Sequence, residues 1–270
     1  MGKLNKSGQK LRFMIIVSAG LGLVFVAISC HPSATPNQLT TESSDAKAAA
    51  DRIAEADTLY AGRDDLNKAR VAVAALRQAR TADYGNYEAA WKLSRAAFYV
   101  GDHTDNGTER DDMFREGIEA GKNAVTLQPN KADGHFWLGA NYGGSAAHST
   151  LAGLSSFRDI KNEMDAVLKI DESYEGYSTY LGLGRLYLEA PTVLGGDSKQ
   201  AIAYLEKGLK MNPNHTMMRA ELAQAYIATN RTAEAKKEIQ TVLSATPDPK
   251  YAPEHKDALA KAQKLQQKLG

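Results

Sequence analysis

The sequence predicts an all-α solenoid of about five helix pairs, closed by one C-terminal capping helix. A short phrase recurs as Leu138-Gly139-Ala140-Asn141-Tyr142, Leu183-Gly184-Arg185-Leu186-Tyr187 and Leu222-Ala223-Gln224-Ala225-Tyr226. Such recurrence marks a stack of similar units, none of which buries its apolar face alone. The joints between units keep their length: Pro129 precedes Tyr142, and Pro213 precedes Tyr226, by 13 residues each. No sustained period-two run of Val, Ile or Thr points to a sheet.

The first element, residues 1–29, stands apart from the fold. Lys3, Lys6, Lys10 and Arg12 form a basic head, and Phe13 to Ser29 is apolar and uncharged. This is the layout of a signal peptide, slightly short for a spanning helix. Cys30, the only cysteine, follows Ala27-Ile28-Ser29. Small residues before a cysteine resemble the box at which bacterial lipoproteins are cleaved and lipidated. An uncleaved anchor helix with an incidental cysteine is the alternative. Residues 30–46 are rich in Ser, Thr, Pro and Asn and read as a flexible tether between lipid and fold. His31, rather than Asp, after the cysteine favours the outer membrane, by resemblance to lipoprotein sorting in two-membraned bacteria. That places the folded part in the periplasm. With no second cysteine, an oxidising compartment yields no disulfide framework.

The helix pairs occupy residues 47–250. Tyr60, with Ala69 and Val73, anchors a first pair near 50–83. Trp91 and Phe98 anchor a second, whose latter helix ends through Ala124, Leu127 and Pro129. Gly139 and Tyr142 open a third, with Ala166 on its second helix and a stop near Asp171. Gly184 and Tyr187 open a fourth, followed by Ala201, Leu205, Gly208 and Pro213. Tyr226, Ala235, Ile239 and Pro247 complete the fifth. Two helices cross closely only where one offers Gly or Ala and an aromatic of its partner fills the space beside it. Proline then ends the unit. Residues 251–270 form the last helix. Leu259, Ala262, Leu265 and Leu269 give it one apolar stripe, and its Lys- and Gln-rich face suits a solubilising cap. Together these spacings resemble the tetratricopeptide (TPR) repeat, which implies a scaffold for protein–protein interaction.

The repeats are stretched internally. Anchor to closing proline is 21 residues in the fifth (226 to 247), 26 in the fourth (187 to 213) and 31 in the second (98 to 129). The extra residues are expected as loops between paired helices at 101–110, 143–156 and 189–197. Such loops either form a binding edge or merely vary the curvature. In the last of them, Gly195-Gly196 permits positive φ, and Asp197 with Gln200 forms a capping box for the next helix.

No catalytic constellation is found. His31, His103, His135, His148, His215 and His255 show no metal-ligand spacing, and neither a nucleophile elbow nor a phosphate loop occurs. Asp64-Asp65 and Asp111-Asp112 read as solvated loop or cap positions. No catalytic residue, metal or cofactor is therefore assigned. The formal charge is +1. Residues 1–29 hold four basic and no acidic residues, so the remainder carries 29 basic against 32 acidic residues, a net −3. No basic block survives there, which argues against nucleic acid.

The concave face is where a partner or ligand would lie. Its candidate lining is Lys92 and Tyr99, then Phe136, then Leu181, Arg185 and Leu188. Ala96, Ala140, Gly143, Met217, Gln224 and Ile227 continue the row. Exposed, this mostly small or apolar lining would mark a binding site. Buried under inserted loops, it would be core. The positions matching the carboxylate clamp of chaperone-binding repeats are Ala54 and Thr58, so that clamp is absent.

Residues 132–213 resemble a particular family. They run Ala132-Asp133-Gly134-His135-Phe136-Trp137-Leu138-Gly139, then Met164-Asp165-Ala166-Val167-Leu168-Lys169-Ile170-Asp171. Tyr174, Gly176, the Leu183-Tyr187 phrase, Ala190-Pro191 and Gly195-Gly196-Asp197 follow, and Leu205-Glu206-Lys207-Gly208-Leu209 closes the order. This is similar to the T-component of tripartite ATP-independent periplasmic (TRAP) transporters. The resemblance implies a periplasmic lipoprotein that forms a homo-oligomer and partners a solute-binding protein, with hydrophobic ligands. The closing repeat is more regular than that family's pattern. Three classes of function are weighed: a membrane-anchored scaffold for a protein partner, a module binding a small apolar ligand or lipid, and, least favoured because no activated constellation is found, an enzyme.

Overall fold

The computed structural model describes residues 36–148, 153–246 and 248–270. The signal peptide, Cys30 and Pro247 lie outside them. Eleven α-helices are seen among the described residues, with no strand. They pair in chain order: α1 (Pro36–Ala61) with α2 (Leu66–Ala82), α3 (Tyr87–His103) with α4 (Gly107–Leu127), and α5 (Ala132–His148) with α6 (Gly153–Ile170). Then α7 (Tyr174–Glu189) pairs with α8 (Ser198–Met211), and α9 (Thr216–Ala228) with α10 (Thr232–Leu243). The last helix, α11 (Ala252–Leu269), packs on α9 and α10. This is the expected all-α, TPR-like stack of five pairs plus a terminal helix.

Local chemistry starts the helices. The side chains of Asp65, Asn86, Asn106, Asp197 and His215 each accept from a backbone N–H in the first turn of α2, α3, α4, α8 and α9. Each satisfies one of the orphan donors at a helix start. The capping box at Asp197 is half-made. Its carboxylate accepts from Lys199 and Gln200, but its own N–H donates to the Tyr187 carbonyl at 2.8 Å, not to the Gln200 side chain.

Glycines set the crossings. A Cβ on Gly184 would lie 2.5 Å from Leu205 of α8, and one on Gly139 would lie 2.7 Å from Met164 of α6. The two occupy the same place in successive repeats. Asp133 staples three repeats, accepting from Tyr87 at 3.0 Å and Tyr174 at 3.1 Å.

Three sequence expectations change. Helix α1 begins at Pro36, so its first turns run through the segment read as tether. Lengthening a helix that is already nucleated costs little. The stretches 101–110 and 143–156 are mostly helix among the described residues: 101–103 and 107–110 lie in α3 and α4 with a short turn at 104–106, and 143–148 and 153–156 lie in α5 and α6. Gly101 and Gly144 belong to α3 and α5, and both press on the Phe114 ring, with Cβ positions 2.9 and 2.3 Å from it. They are crossing residues, and the surplus length is helix. Of the three stretches, only 189–197 holds a long connection among the described residues: residues 190–197, with a 3-10 turn at Thr192–Leu194. Asp111 and Asp112 likewise lie inside α4, where Asp112 pairs with Arg115 at 2.5 Å.

Helix α7 begins abnormally. Glu175, Gly176 and Tyr177 have φ of 45°, 64° and 70°. Left-handed backbone at a bulky non-glycine residue is strained. Asn212 helps hold the turn, donating to the Gly176 carbonyl at 2.9 Å.

Candidate functional site: a chamber inside the solenoid

The curl of the stack forms a partly open cavity of about 1480 Å³, lined by the first helices of all the repeats together with α6, α10 and α11. One wall is apolar. Phe98 from α3, Phe136 and Trp137 from α5, Phe157 and Ile160 from α6, and Leu181 from α7 form it. Gly139, Ala140, Gly143 and Gly144 leave the α5 surface without bulk, so this wall is concave. Phe136 and Trp137 meet edge-on at 5.0 Å, a favoured arrangement of aromatic rings.

The rest of the lining is charged where α1 and α3 contribute Asp57, Arg95, Asp102 and His103 and the turn after α1 contributes Arg63; of these, Arg63 and His103 meet α11. Arg95 lies over the Tyr60 ring at 4.1 Å and the Trp91 ring at 4.9 Å. Its ion pair to Asp57 is long at 3.4 Å, and its buried Nε has no hydrogen-bond partner among the described residues. Its charge is thus held mostly by ring faces. His103 sits between the Tyr99 carbonyl at 2.8 Å and Asp257 of α11 at 3.1 Å. Burial pushes its pKa down, but these hydrogen bonds outweigh burial and leave it above the ordinary histidine value.

At one end Glu221 is fully buried. It accepts from Arg185 at 2.7 Å and Lys261 at 2.5 Å. Burial alone raises its pKa. The two cations outweigh burial and hold the carboxyl below the usual range. His215, nearby, is pushed down to about 4 by burial and stays neutral, with Nδ1 accepting from Met218 N at 3.3 Å.

Of the six residues expected on the concave face, Tyr99, Phe136, Leu181 and Arg185 line this chamber. Lys92 does not. It is buried in the joint between α1 and α3, paired with Asp57 and Glu88 at 2.5 Å each, so it braces a chamber carboxylate from behind. Leu188 packs into the core of the fourth and fifth repeats. Among the other row positions, Ala140, Gly143 and Met217 line the chamber, while Ala96 is core of the first two repeats.

Phe98 lines the chamber although its spacing marked it as a packing anchor. Sequence reasoning missed Phe157 and Ile160, because a second helix was not expected to reach the inner face. It also missed Glu254 and Asp257. Their i, i+3 spacing along one edge of the apolar stripe of α11 was the available signal. His135 meets Glu163 at 2.6 Å, and His148 stacks on Phe114.

Chemically the chamber can hold and orient. Ser178 and His215 meet in the chamber at 3.2 Å, but the Ser178 hydroxyl donates to the Glu175 carbonyl at 2.7 Å, and with Nδ1 accepting from Met218 the His215 Nε2 donates to that hydroxyl and does not take its proton. Among the described residues no group of three or more His, Cys, Asp or Glu could hold a metal ion.

Comparison with known proteins agrees on the architecture. The crystal structure of TTC0263, a thermophilic TPR protein in Thermus thermophilus, superposes with a TM-score of 0.61 at 18% identity, covering 81% of this chain and 99% of that one. PilF of Pseudomonas aeruginosa gives 0.54 at 16% identity, covering 84% and 93%. No curated protein matches the chain. Residues 194–265 match the tetratricopeptide repeat family, and residues 52–190 match the family described as Regulator of microtubule dynamics protein 1-3. Neither is the transporter component that residues 132–213 resemble. Since the second of these matches spans just over half of its 270 residues, the chain belongs to the Regulator of microtubule dynamics protein 1-3 family.

Proposed function

We propose that this protein is a non-catalytic, lipid-anchored scaffold of the bacterial envelope whose solenoid holds a protein partner, an apolar-sided segment of which lodges in the chamber. The observation that carries this reading is the chamber itself, concave and aromatic on one wall and charge-lined on the other. Its volume of about 1480 Å³ exceeds the roughly 300–1,000 Å³ of a pocket for a drug-sized ligand. TPR-type repeats generally serve protein interaction, which is why a peptide segment is the first candidate. The transporter-accessory role is the sharpest form of this proposal and rests on residues 132–213. A solute-binding protein captured at stoichiometric ratio from envelope extracts would support that form. Absence of permease subunit genes from the neighbourhood across related genomes would sink it.

A second reading, a small apolar ligand or lipid, is favoured by the continuous apolar wall from Phe98 to Leu181. Mass spectrometry of the intact protein isolated from its host separates the two. A bound small molecule with no partner supports the second.

Both readings share one test. A Cβ on Gly143 meets nothing within 4 Å, so Gly143→Phe should project into the chamber and obstruct its apolar side without disturbing the helix. The variant should fold normally and lose the partner or the ligand. Normal capture by a folded variant would show that the chamber is not the site. The anchor is tested at Cys30: Cys30→Ser should leave unprocessed precursor and abolish partitioning into detergent.

A further inference from the structure

The two ends of the described solenoid touch. A stack of helix pairs joined only to its neighbours behaves as an open spring. Here Arg63, in the turn after α1, reaches across the chamber to the first turn of α11. Its Nη2 donates to both Glu254 oxygens at 2.7 and 2.8 Å, and its Nε to one of them at 3.2 Å. Rings on either side hold the guanidinium in place, Tyr60 at 5.0 Å and Tyr99 at 5.8 Å. One turn further along α11, Asp257 meets His103. A third contact braces the approach to α11. The left-handed turn of α7 presents Glu175 to Lys250 at 3.0 Å and Tyr251 at 3.2 Å.

What crosses this seam is polar. The apolar core of the first two repeats and the core that binds α11 share no residue. The apolar stripe of α11 faces α9 and α10 instead, through Ala258, Ala262 and Leu265. So α11 is bonded firmly to the fifth repeat and only electrostatically to the first two. Glu254 and Asp257 keep 39% and 43% of their side chains exposed, so salt reaches the α11 side of each pair, while Arg63 itself is buried.

We propose that α11 is a releasable clasp over the chamber: its acidic edge, Glu254 and Asp257, latches onto Arg63 and His103, and release lets the first two repeats swing away from α11 and admit a guest. The arrangement has the parts this needs, a stiff arm fixed at one end, a screenable latch at the other, and an inner space that the latch residues line. It rests on the chamber reading only for what is admitted.

The test measures the seam and the access separately. In a Cys30→Ser background, spin labels at Asp64→Cys and Lys256→Cys, both exposed, report the distance across the seam. At low salt one short distance should dominate. Roughly 1 M salt, where screening reaches about 3 Å, should populate a longer one in the otherwise native protein. Arg63→Glu should do the same at low salt, and Arg63→Glu with Glu254→Arg should restore the short distance. A neutral apolar dye should bind three- to tenfold faster in Arg63→Glu, return to the original rate in the double swap, and fail to bind Gly143→Phe. Distances unmoved by both salt and Arg63→Glu would overturn the clasp. Distances that move while the dye rate stays constant would overturn its gating role. Dye that never binds the native protein would sink the chamber reading, and the distances would still decide the clasp.

Discussion

Gly184 shows how one missing side chain sets a helix crossing. Its position allows α8 to bring Leu205 to where a Cβ would stand, 2.5 Å away. Gly184→Leu should therefore overpack the fourth repeat and cost about 1–3 kcal/mol in urea unfolding. A neutral result would mean that the crossing can slide. This residue was legible from sequence, because the repeat phrase places a small residue three positions before the anchoring tyrosine. Arg63 was not. Nothing within its own helix pair distinguishes it from a surface arginine; its partner lies 191 residues away. Glu175 and Tyr177 were equally hidden, since neither is the glycine that left-handed backbone ordinarily selects.

Elements divide in the same way. The helix pairs were readable because a crossing needs only local spacing of small and aromatic residues. Their lengths were not: glycine-rich runs at 101–107 and 143–144 read as loops, yet Gly101 and Gly144 serve a ring on α4. Glycine alone does not tell a turn from a close crossing. The connection before α8 is the exception, and its structure is strict. Gly195 has φ of 108°, and a Cβ on Gly196 would lie 1.8 Å from the Ala190 carbonyl oxygen. Asp197 then starts α8 with two accepted N–H bonds. Asp197→Ala should cost about 1 kcal/mol, with increased amide exchange confined to the first turn of α8. Loss spread over the whole repeat would show that the loop, not the cap, carries the stability.

At the scale of the molecule, closure depends on angles that accumulate over five repeats, which is why no window of sequence displays it. Acidity acts on it from two sides. His103, facing Asp102 on its own helix, Asp257 of α11 and the Tyr99 ring, has a raised pKa. Its contribution is complete below the ordinary histidine value of about 6.5 and is lost as pH rises through the higher folded value. His215 is the reverse: with its pKa pushed down to about 4, it favours the folded state above the ordinary value and loses that as pH falls. Raising pH from roughly 6 to 8 should therefore lengthen the seam distance and lower stability by the His103 contribution. Lowering it from roughly 6.5 to 4 should lower global stability, while His103 keeps its proton. A seam distance constant from pH 6 to 8 would remove His103 from the latch.

The contact between Arg63 and Glu254 also sets an order of events during synthesis. The two residues are 191 positions apart, so at about 5–20 residues per second the ribosome delivers the second roughly 10 to 40 seconds after the first. Throughout that interval the early repeats exist as an uncompleted arc. Until the final helix arrives, Arg63 has no carboxylate of α11 to meet, so the seam is the last contact of the solenoid to form.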